Sequence, residues 1–252
     1  NIIIPDSGNI SIFGKSFVDK HKNMIGYLPE ERGLYPRMTA LDQLQFLGEM
    51  KGMKACEARQ KSLDWLNRCE LEHSKDKKVE NLSKGMGQKL QFLGAILHSP
   101  KLLIMDEPFS GLDPINTNFL KDIVLELKQQ GITIIFSTHM MDQAERLCDH
   151  IGLINKGKLV LYGELQNIKK KYSHNSVILE HKGDGSFLKD LDIVRAVNNY
   201  SNYTEIRLKD GVPSNKLLKI LTEKDIEINK FETFKTTLNN IFIDVVQGGN
   251  NE

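Results

Sequence analysis

LLIMDEPFSGLDP, residues 102–114, reads as a short apolar strand that runs into two adjacent acids and then a glycine turn. A strand buried on both faces of a parallel sheet is continuously apolar rather than alternating. Groups at the carboxyl end of such a strand face the crevice where α/β proteins bind ligands. Successive side chains leave a strand in opposite directions, so Asp106 and Glu107 are set for different tasks. Asp106 suits a hydrated divalent cation, and Glu107 suits a general base acting on an attacking water. By themselves, four apolar residues and two acids read equally well as a strand that simply meets solvent. The continuation PFSGLDP makes the stretch specific.

Upstream, LSKGMGQK (82–89) offers Ser83 as a helix N-cap with Gly85 two residues later. A capped N-terminus exposes N–H groups and the positive end of the helix dipole, which favour an anion. An isolated LSxG also fits an ordinary capped helix. Downstream, ITIIFSTH (132–139) is a second apolar strand that leads into Thr138 and His139. A lone histidine after a strand is by itself more often structural than catalytic. YLPEERGLYP (27–36) ends a third strand at Pro29 and follows it with Glu30, an oxygen donor beside Glu31 that also fits a solvated loop. The phosphate-cradling pattern G-x-x-x-x-G-K-[ST] occurs nowhere in residues 1–252. Gly14-Lys15-Ser16 has the form of its end, but Asn9 stands where the first glycine is needed. The order there is also turn, strand, turn rather than strand, loop, helix, so Lys15 is not read as a phosphate ligand.

In this order the segments resemble the ATPase subunit of an ABC transporter. Leu82 to Met86 match the signature loop, Leu102 to Glu107 Walker B, Ser110 to Asp113 the D-loop, and His139 the switch histidine. The resemblance covers residues 1–165 and implies an α/β fold: a P-loop NTPase-type parallel sheet with an inserted helical subdomain. It implies ATP and Mg²⁺ as ligands, with Glu107 and His139 catalytic and Asp106 and Glu30 at the metal. Ser83, Lys84, Gly85, Met86, Asp113 and Glu30 would then surround the nucleotide. The signature departs from LSGGQ at Lys84 and Met86, while Gln88-Lys89 restore the usual polar-basic pair. Glu30 stands where the family's Q-loop has glutamine. Residues 27–36 are similar to the export-type branch related to sodium and drug extruders. With no cradle found, the resemblance implies a chain lacking its N-terminal strands and P-loop, truncated before or within the P-loop helix. Such a chain is expected to bind ATP poorly and hydrolyse it negligibly. The implied partners are a transmembrane permease subunit and a second ATPase subunit, identical or paired, whose signature turn caps the γ-phosphate. The implied location is the cytoplasmic face of the membrane.

The 252 residues, 27% charged and 40% hydrophobic, leave room for one large globular domain and one small one. A net charge of +1 gives no support for nucleic-acid binding. The basic runs Lys75–Lys78 and Lys169–Lys171 read as solvated surface, and Cys56, Cys69 and Cys148 as reduced thiols. No stretch approaches the ~20 apolar residues of a membrane span, so direct membrane insertion is not expected.

Along the chain, strands at Asn9–Phe13 and Ile25–Leu28 precede a helix capped by Thr39 and a second helix, Lys54–Cys69. With the signature helix they make up a helical subdomain over about 39–97, whose early part, Glu30 to Met53, is expected to dock on the membrane partner. Met38, Leu41 and Met50 there are read as core rather than contact. Strands and helices then alternate as far as Ile154, which argues for a parallel sheet covered by helices, and Lys156-Gly157 turns into a final strand, Lys158–Tyr162, with Gly163 closing the domain. Beyond 171 the style changes to a mixed, ferredoxin-like α+β pattern. It has strands at Ser176–Glu180, Ile193–Val197, Thr204–Leu208 and Ile226–Phe231, and helices at Pro213–Thr222 and Thr236–Val246. The expected domains are thus 1–171 and 172–247, with 248–252 a disordered tail. NNIFIDVV (239–246) resembles the accessory domain that follows ATPases of the export-type branch. Two other functions stand beside the transporter: a regulatory or interaction module of ABC type that has lost catalysis, and an ABC protein of translation or DNA repair. The missing cradle favours the first. The absence of paired cassettes and of a strongly basic surface disfavours the second.

Overall fold

Helix caps and strand register place the site. The computed structural model describes residues 6–31, 33–172, 176–209, 211–224, 226–234 and 237–248. The chain folds as two compact units, Asn1–His139 and Met140–Glu252.

The first unit opens with an antiparallel pair, β1 (Ser11–Ile12) and β2 (Lys15–Ser16). Phe13 and Gly14 turn between them at φ values of 54° and 72°, so Gly14-Lys15-Ser16 belongs to a hairpin. The unit continues with β3 (Ile25–Leu28), α1 (Ala40–Met50), α2 (Ala55–Arg68) and α3 (Lys84–Ile96). It ends with β4 (Leu102–Asp106), α4 (Pro114–Gln129) and β5 (Thr133–Ser137). Three of the helices begin where a short polar side chain satisfies a free N–H. Thr39 accepts from the Asp42 amide at 3.1 Å, Ser83 from Met86 at 3.2 Å and Asp113 from Asn116 at 3.0 Å. The parallel sheet has the order β3-β4-β5. β4 lies in its centre with Leu103 and Met105 buried, as a continuously apolar strand requires. Leu44, Leu90, Phe92 and Leu120 pack the same unit with no exposed surface. At Gly26 a Cβ would lie 2.2 Å from the Ala95 carbonyl oxygen, so only glycine lets β3 approach α3 this closely. β5 is half exposed, with Ile135 55% accessible, and among the described residues it pairs only with β4. Leu41 is buried as expected, whereas Met50 is 67% exposed because the buried face of α1 ends at Gly48.

The second unit contains α5 (Met141–Leu147), β6 (His150–Asn155), β7 (Lys158–Glu164) and α6 (Leu165–Tyr172). The strand–helix alternation placed the strand at 150–154 in the parallel sheet; it pairs instead with β7, antiparallel. Lys156 and Gly157, read as a turn into the strand that follows, both take positive φ, 48° and 74°, and close a two-residue hairpin. α6 was not expected. Its Leu165 and Ile168 are buried, and its last turn is the basic run Lys169–Lys171. Lys169 forms a half-buried ion pair with Glu145 of α5, so it is not the solvated side chain the sequence suggested.

β8 (Ser176–Lys182), β9 (Val194–Asn199), β10 (Thr204–Leu208), α7 (Ser214–Thr222) and β11 (Glu227–Phe234) follow. The antiparallel order β11-β8-β10-β9 is the ferredoxin-like one, with a 3-10 turn at Ser186–Asp190 in place of the first helix. Val177, Leu179, Ile206, Leu217 and Leu221 fill its core. The last helix, α8 (Leu238–Gly248), packs elsewhere: its Leu238 and Ile241 join Ile151, Leu165 and Ile168. Glu145 also accepts the Leu238 amide at 3.0 Å. The chain divides into its compact units between His139 and Met140, while the change of element style falls near 172. Of the tail expected to be disordered, Gly248 ends α8 and 249–252 lie outside the described residues.

Candidate functional site

The carboxyl ends of β4 and β5 lie side by side, with Asp106 and Ser137 in register. Ser137, Thr138 and His139 each touch one of the two acids. The Ser137 hydroxyl donates to Asp106 Oδ1. The Glu107 amide donates to both the Ser137 hydroxyl and its carbonyl, at 3.3 Å each. The Thr138 hydroxyl lies 3.5 Å from Glu107 Oε2, at the outer limit of a hydrogen bond. Glu107 Oε1 accepts from the His139 amide at 2.9 Å and lies 2.7 Å from His139 Nδ1. An ionised carboxylate only accepts, so Nδ1 carries the proton in this contact. Oε1 thereby takes two short contacts, and Oε2, reached by Thr138 only at 3.5 Å, keeps lone-pair capacity for a substrate or a water. Glu107 itself sits at φ 44°, a left-handed conformation costly for a residue with a Cβ. The kink turns its carboxylate across to the neighbouring strand. Its side chain is 18% exposed and that of His139 74%, so a half-buried acid meets an accessible imidazole.

A cleft of roughly 180 Å³ opens beside these acids, lined by Leu28, Glu30, Lys84, Gln91, Asp106 and Glu107 among others. Two glutamines of α3 hold its walls. Gln91, buried, donates to the Pro29 and Glu31 carbonyls at 3.0 Å each and so fixes the loop that carries Glu30. Gln88 donates to the Ser110 carbonyl at 2.8 Å and to Pro108 at 3.4 Å. Neither was singled out as a site residue from the sequence. The available signal was a pair of amides on the face of α3 nearest the two loops, amid the apolar residues 90–97. Ser137, a hydroxyl ending an apolar strand, was also missed.

Of the residues expected around a nucleotide, Glu30, Lys84, Asp106 and Glu107 share this cleft, and His139 joins it through Glu107. Ser83, Gly85 and Met86 form the first turn of α3, with Ser83 as its cap. Asp113 is an exposed cap of α4, and hydrogen bonds from the Asn116 amide and side chain hold its carboxyl below the usual range. The Asn116 side-chain nitrogen, Nδ2, lies 3.4 Å from where a Cβ on Gly85 would be, so the two helix N-termini adjoin. Lys84 reaches the loop at Gly111, where a Cβ would come within 2.7 Å of its amine.

Among the described residues no three His, Cys, Asp or Glu side chains gather in a metal-binding group. The cleft offers hard oxygens from Asp106 and Glu30. That donor set fits Mg²⁺, which typically takes one or two protein carboxylates and completes its shell with phosphate and water oxygens. Away from the cleft, burial pushes the Cys69 thiol up to about 11, and burial with Lys51 nearby pushes the His98 imidazole down to about 4. No helix among the described residues is long and apolar enough to cross a membrane.

Residues 1–110 match the ABC transporter family model, and residues 163–246 match that of the ATP-binding protein DrrA1-3-like, C-terminal domain. The uncharacterized ABC transporter ATP-binding protein YhaQ of Bacillus subtilis is 41% identical over 239 residues, 95% of this chain and 80% of the relative. The bacitracin transport ATP-binding protein BcrA of Bacillus licheniformis is 31% identical over 258 residues, 98% of this chain and 82% of the relative. A solved ATP binding subunit of an ABC transporter superposes with a TM-score of 0.62 at 32% identity, covering 68% of this chain and 72% of that one.

Proposed function

The chain belongs to the ABC transporter ATP-binding proteins, and we propose that its cleft binds and hydrolyses ATP to drive export through a separate membrane-spanning permease. The observation that carries this is the hydrogen-bonded group of Asp106, Ser137, Glu107 and His139 at the ends of two parallel strands. Glu107 acts as general base through Oε2, because His139 holds Oε1 and fixes the carboxylate's direction. His139 also contacts the terminal phosphate from the exposed side of its ring, a role that needs no change of protonation. Asp106 and Glu30 are the residues that would hold Mg²⁺, which when bound offsets phosphate charge and orients the oxygens. Ser83 to Met86, with Asp113 beside them, present the α3 N-terminus to the γ-phosphate bound by a second ATPase subunit.

Export is supported by the DrrA-like match over residues 163–246 and by the likeness to BcrA. The partner is a permease engaged through the segment from Glu30 to Met53, at the cytoplasmic face of the membrane. Residues 1–171 form the ATPase domain and 172–247 the accessory domain. G-x-x-x-x-G-K-[ST] does not occur in residues 1–252, so this chain by itself binds ATP weakly and turns it over very slowly. The same observation favours a second reading, a regulatory module of ABC type in which the acids no longer act on a phosphate.

Titrating Mg·ATP into the ¹⁵N-labelled chain separates the two. The transport reading expects amide shifts at Asp106, Glu107, Ser137 and His139, even at millimolar nucleotide. Shifts confined to residues outside the cleft would overturn it in favour of the second.

A further inference from the structure

We propose that Ser137 is the positioning residue that holds Asp106 for its cation, an assignment that rests on the reading of Asp106 as the Mg²⁺ residue. Cross-strand partners in a parallel sheet lie on the same face, and Asp106 and Ser137 are partners at the last register step of β4 and β5. The Ser137 hydroxyl has one proton and two lone pairs, and both kinds of capacity are used. Its proton goes to Asp106 Oδ1, and a lone pair receives the Glu107 amide at 3.3 Å.

That amide belongs to the one residue of the acidic pair in a left-handed conformation, φ 44°. A single hydroxyl therefore fixes the rotamer of the first acid and the backbone kink that aims the second. With Oδ1 engaged, Asp106 Oδ2 is the oxygen presented to a cation. The arrangement is the one by which hydrogen bonds from outside the ligand shell orient a metal-binding carboxylate. Exposed serines are ordinarily solvated, and Ser137 is exposed. Here its hydroxyl is spent on two protein groups.

The test uses Mn²⁺ alone as a paramagnetic stand-in for Mg²⁺, titrated into the ¹⁵N-labelled 252-residue chain. Broadening of the amide signals of residues 104–107 and 136–139 reports occupancy, with no need for turnover. Wild type binds, and Asp106→Asn abolishes the broadening. Ser137→Ala raises the Mn²⁺ concentration needed for half-broadening about tenfold, the lower end of what loss of an orienting hydrogen bond does to metal affinity. Ser137→Thr, which keeps the hydroxyl, restores it to within about twofold. If Ser137→Ala titrates like wild type while Asp106→Asn does not bind, the role of Ser137 is overturned and that of Asp106 stands. If Ser137→Thr is as weak as Ser137→Ala, the effect is one of packing, and the assignment is again overturned. If Asp106→Asn binds like wild type, the cation reading of Asp106 fails and the inference falls with it.

Discussion

Replacing Gln91 by leucine should loosen the loop that carries Glu30 while leaving the rest of the first unit folded. The Gln91 amide nitrogen donates to the Pro29 and Glu31 carbonyls at 3.0 Å each. A hydrogen bond of this kind contributes a net ~0.5–1.5 kcal/mol. The carbonyl of Glu31, an exposed residue, is re-solvated when the amide is lost, and leucine recovers some apolar burial. Global destabilisation should therefore be modest, about 1 kcal/mol. The local effect should be larger, since these two hydrogen bonds tie the carbonyls on either side of Glu30 to α3. Gln91→Glu should cost more than Gln91→Leu, because a carboxylate would face two carbonyls with no proton to donate. Urea unfolding gives the global figure, and hydrogen exchange of a peptide covering residues 25–36 gives the local one. Unchanged exchange in that peptide for both variants, or Gln91→Glu the more stable of the two, would refute the reasoning.

Other outcomes follow from groups outside the cleft. His98 has its imidazole pushed down to about 4 by burial and by Lys51 nearby, against about 6.5 in an unfolded chain. Between those values the unfolded chain binds the extra proton, so stability is fully present above about pH 6.5 and declines as pH falls toward 4. Discounted for partial exposure, the loss should be about 2 kcal/mol, and unfolding curves for His98→Leu should lack that pH dependence. Glu145 joins three helices, pairing with Lys169 of α6 and accepting the first amide of α8. Glu145→Ala should release the start of α8, seen as faster proteolysis after residue 237 with the β8–β11 sheet still intact. Protection equal to wild type would show that Leu238 and Ile241 hold the helix unaided.

What could be read in advance was local. The caps at Thr39 and Ser83 and the strand 102–105 depend on residues a few positions apart, and the structure places them as expected, the strand one residue longer. The strand at 150–154 was given to the parallel sheet because strand–helix alternation does not say which strands pair, whereas the Lys156-Gly157 turn into the next strand was legible from two adjacent residues. α6 was overlooked because three consecutive lysines suggested solvent, and Glu145 lies 24 residues from its partner Lys169. The acids and His139 could be named from sequence, but not the side chains that aim them. Gln91 bonds across 62 and 60 positions and Ser137 across 31, so neither partner is visible in a local pattern.

The most direct measurement is ATP turnover by this chain with a strand–GxxxxGK[ST]–helix segment joined ahead of Asn1. Steady hydrolysis is expected in the extended chain and almost none from residues 1–252 alone. Glu107→Gln should lower the rate at least ~10²-fold, the scale of a lost general base, with nucleotide still bound. Turnover that persists undiminished in Glu107→Gln would contradict the role given to the acid pair.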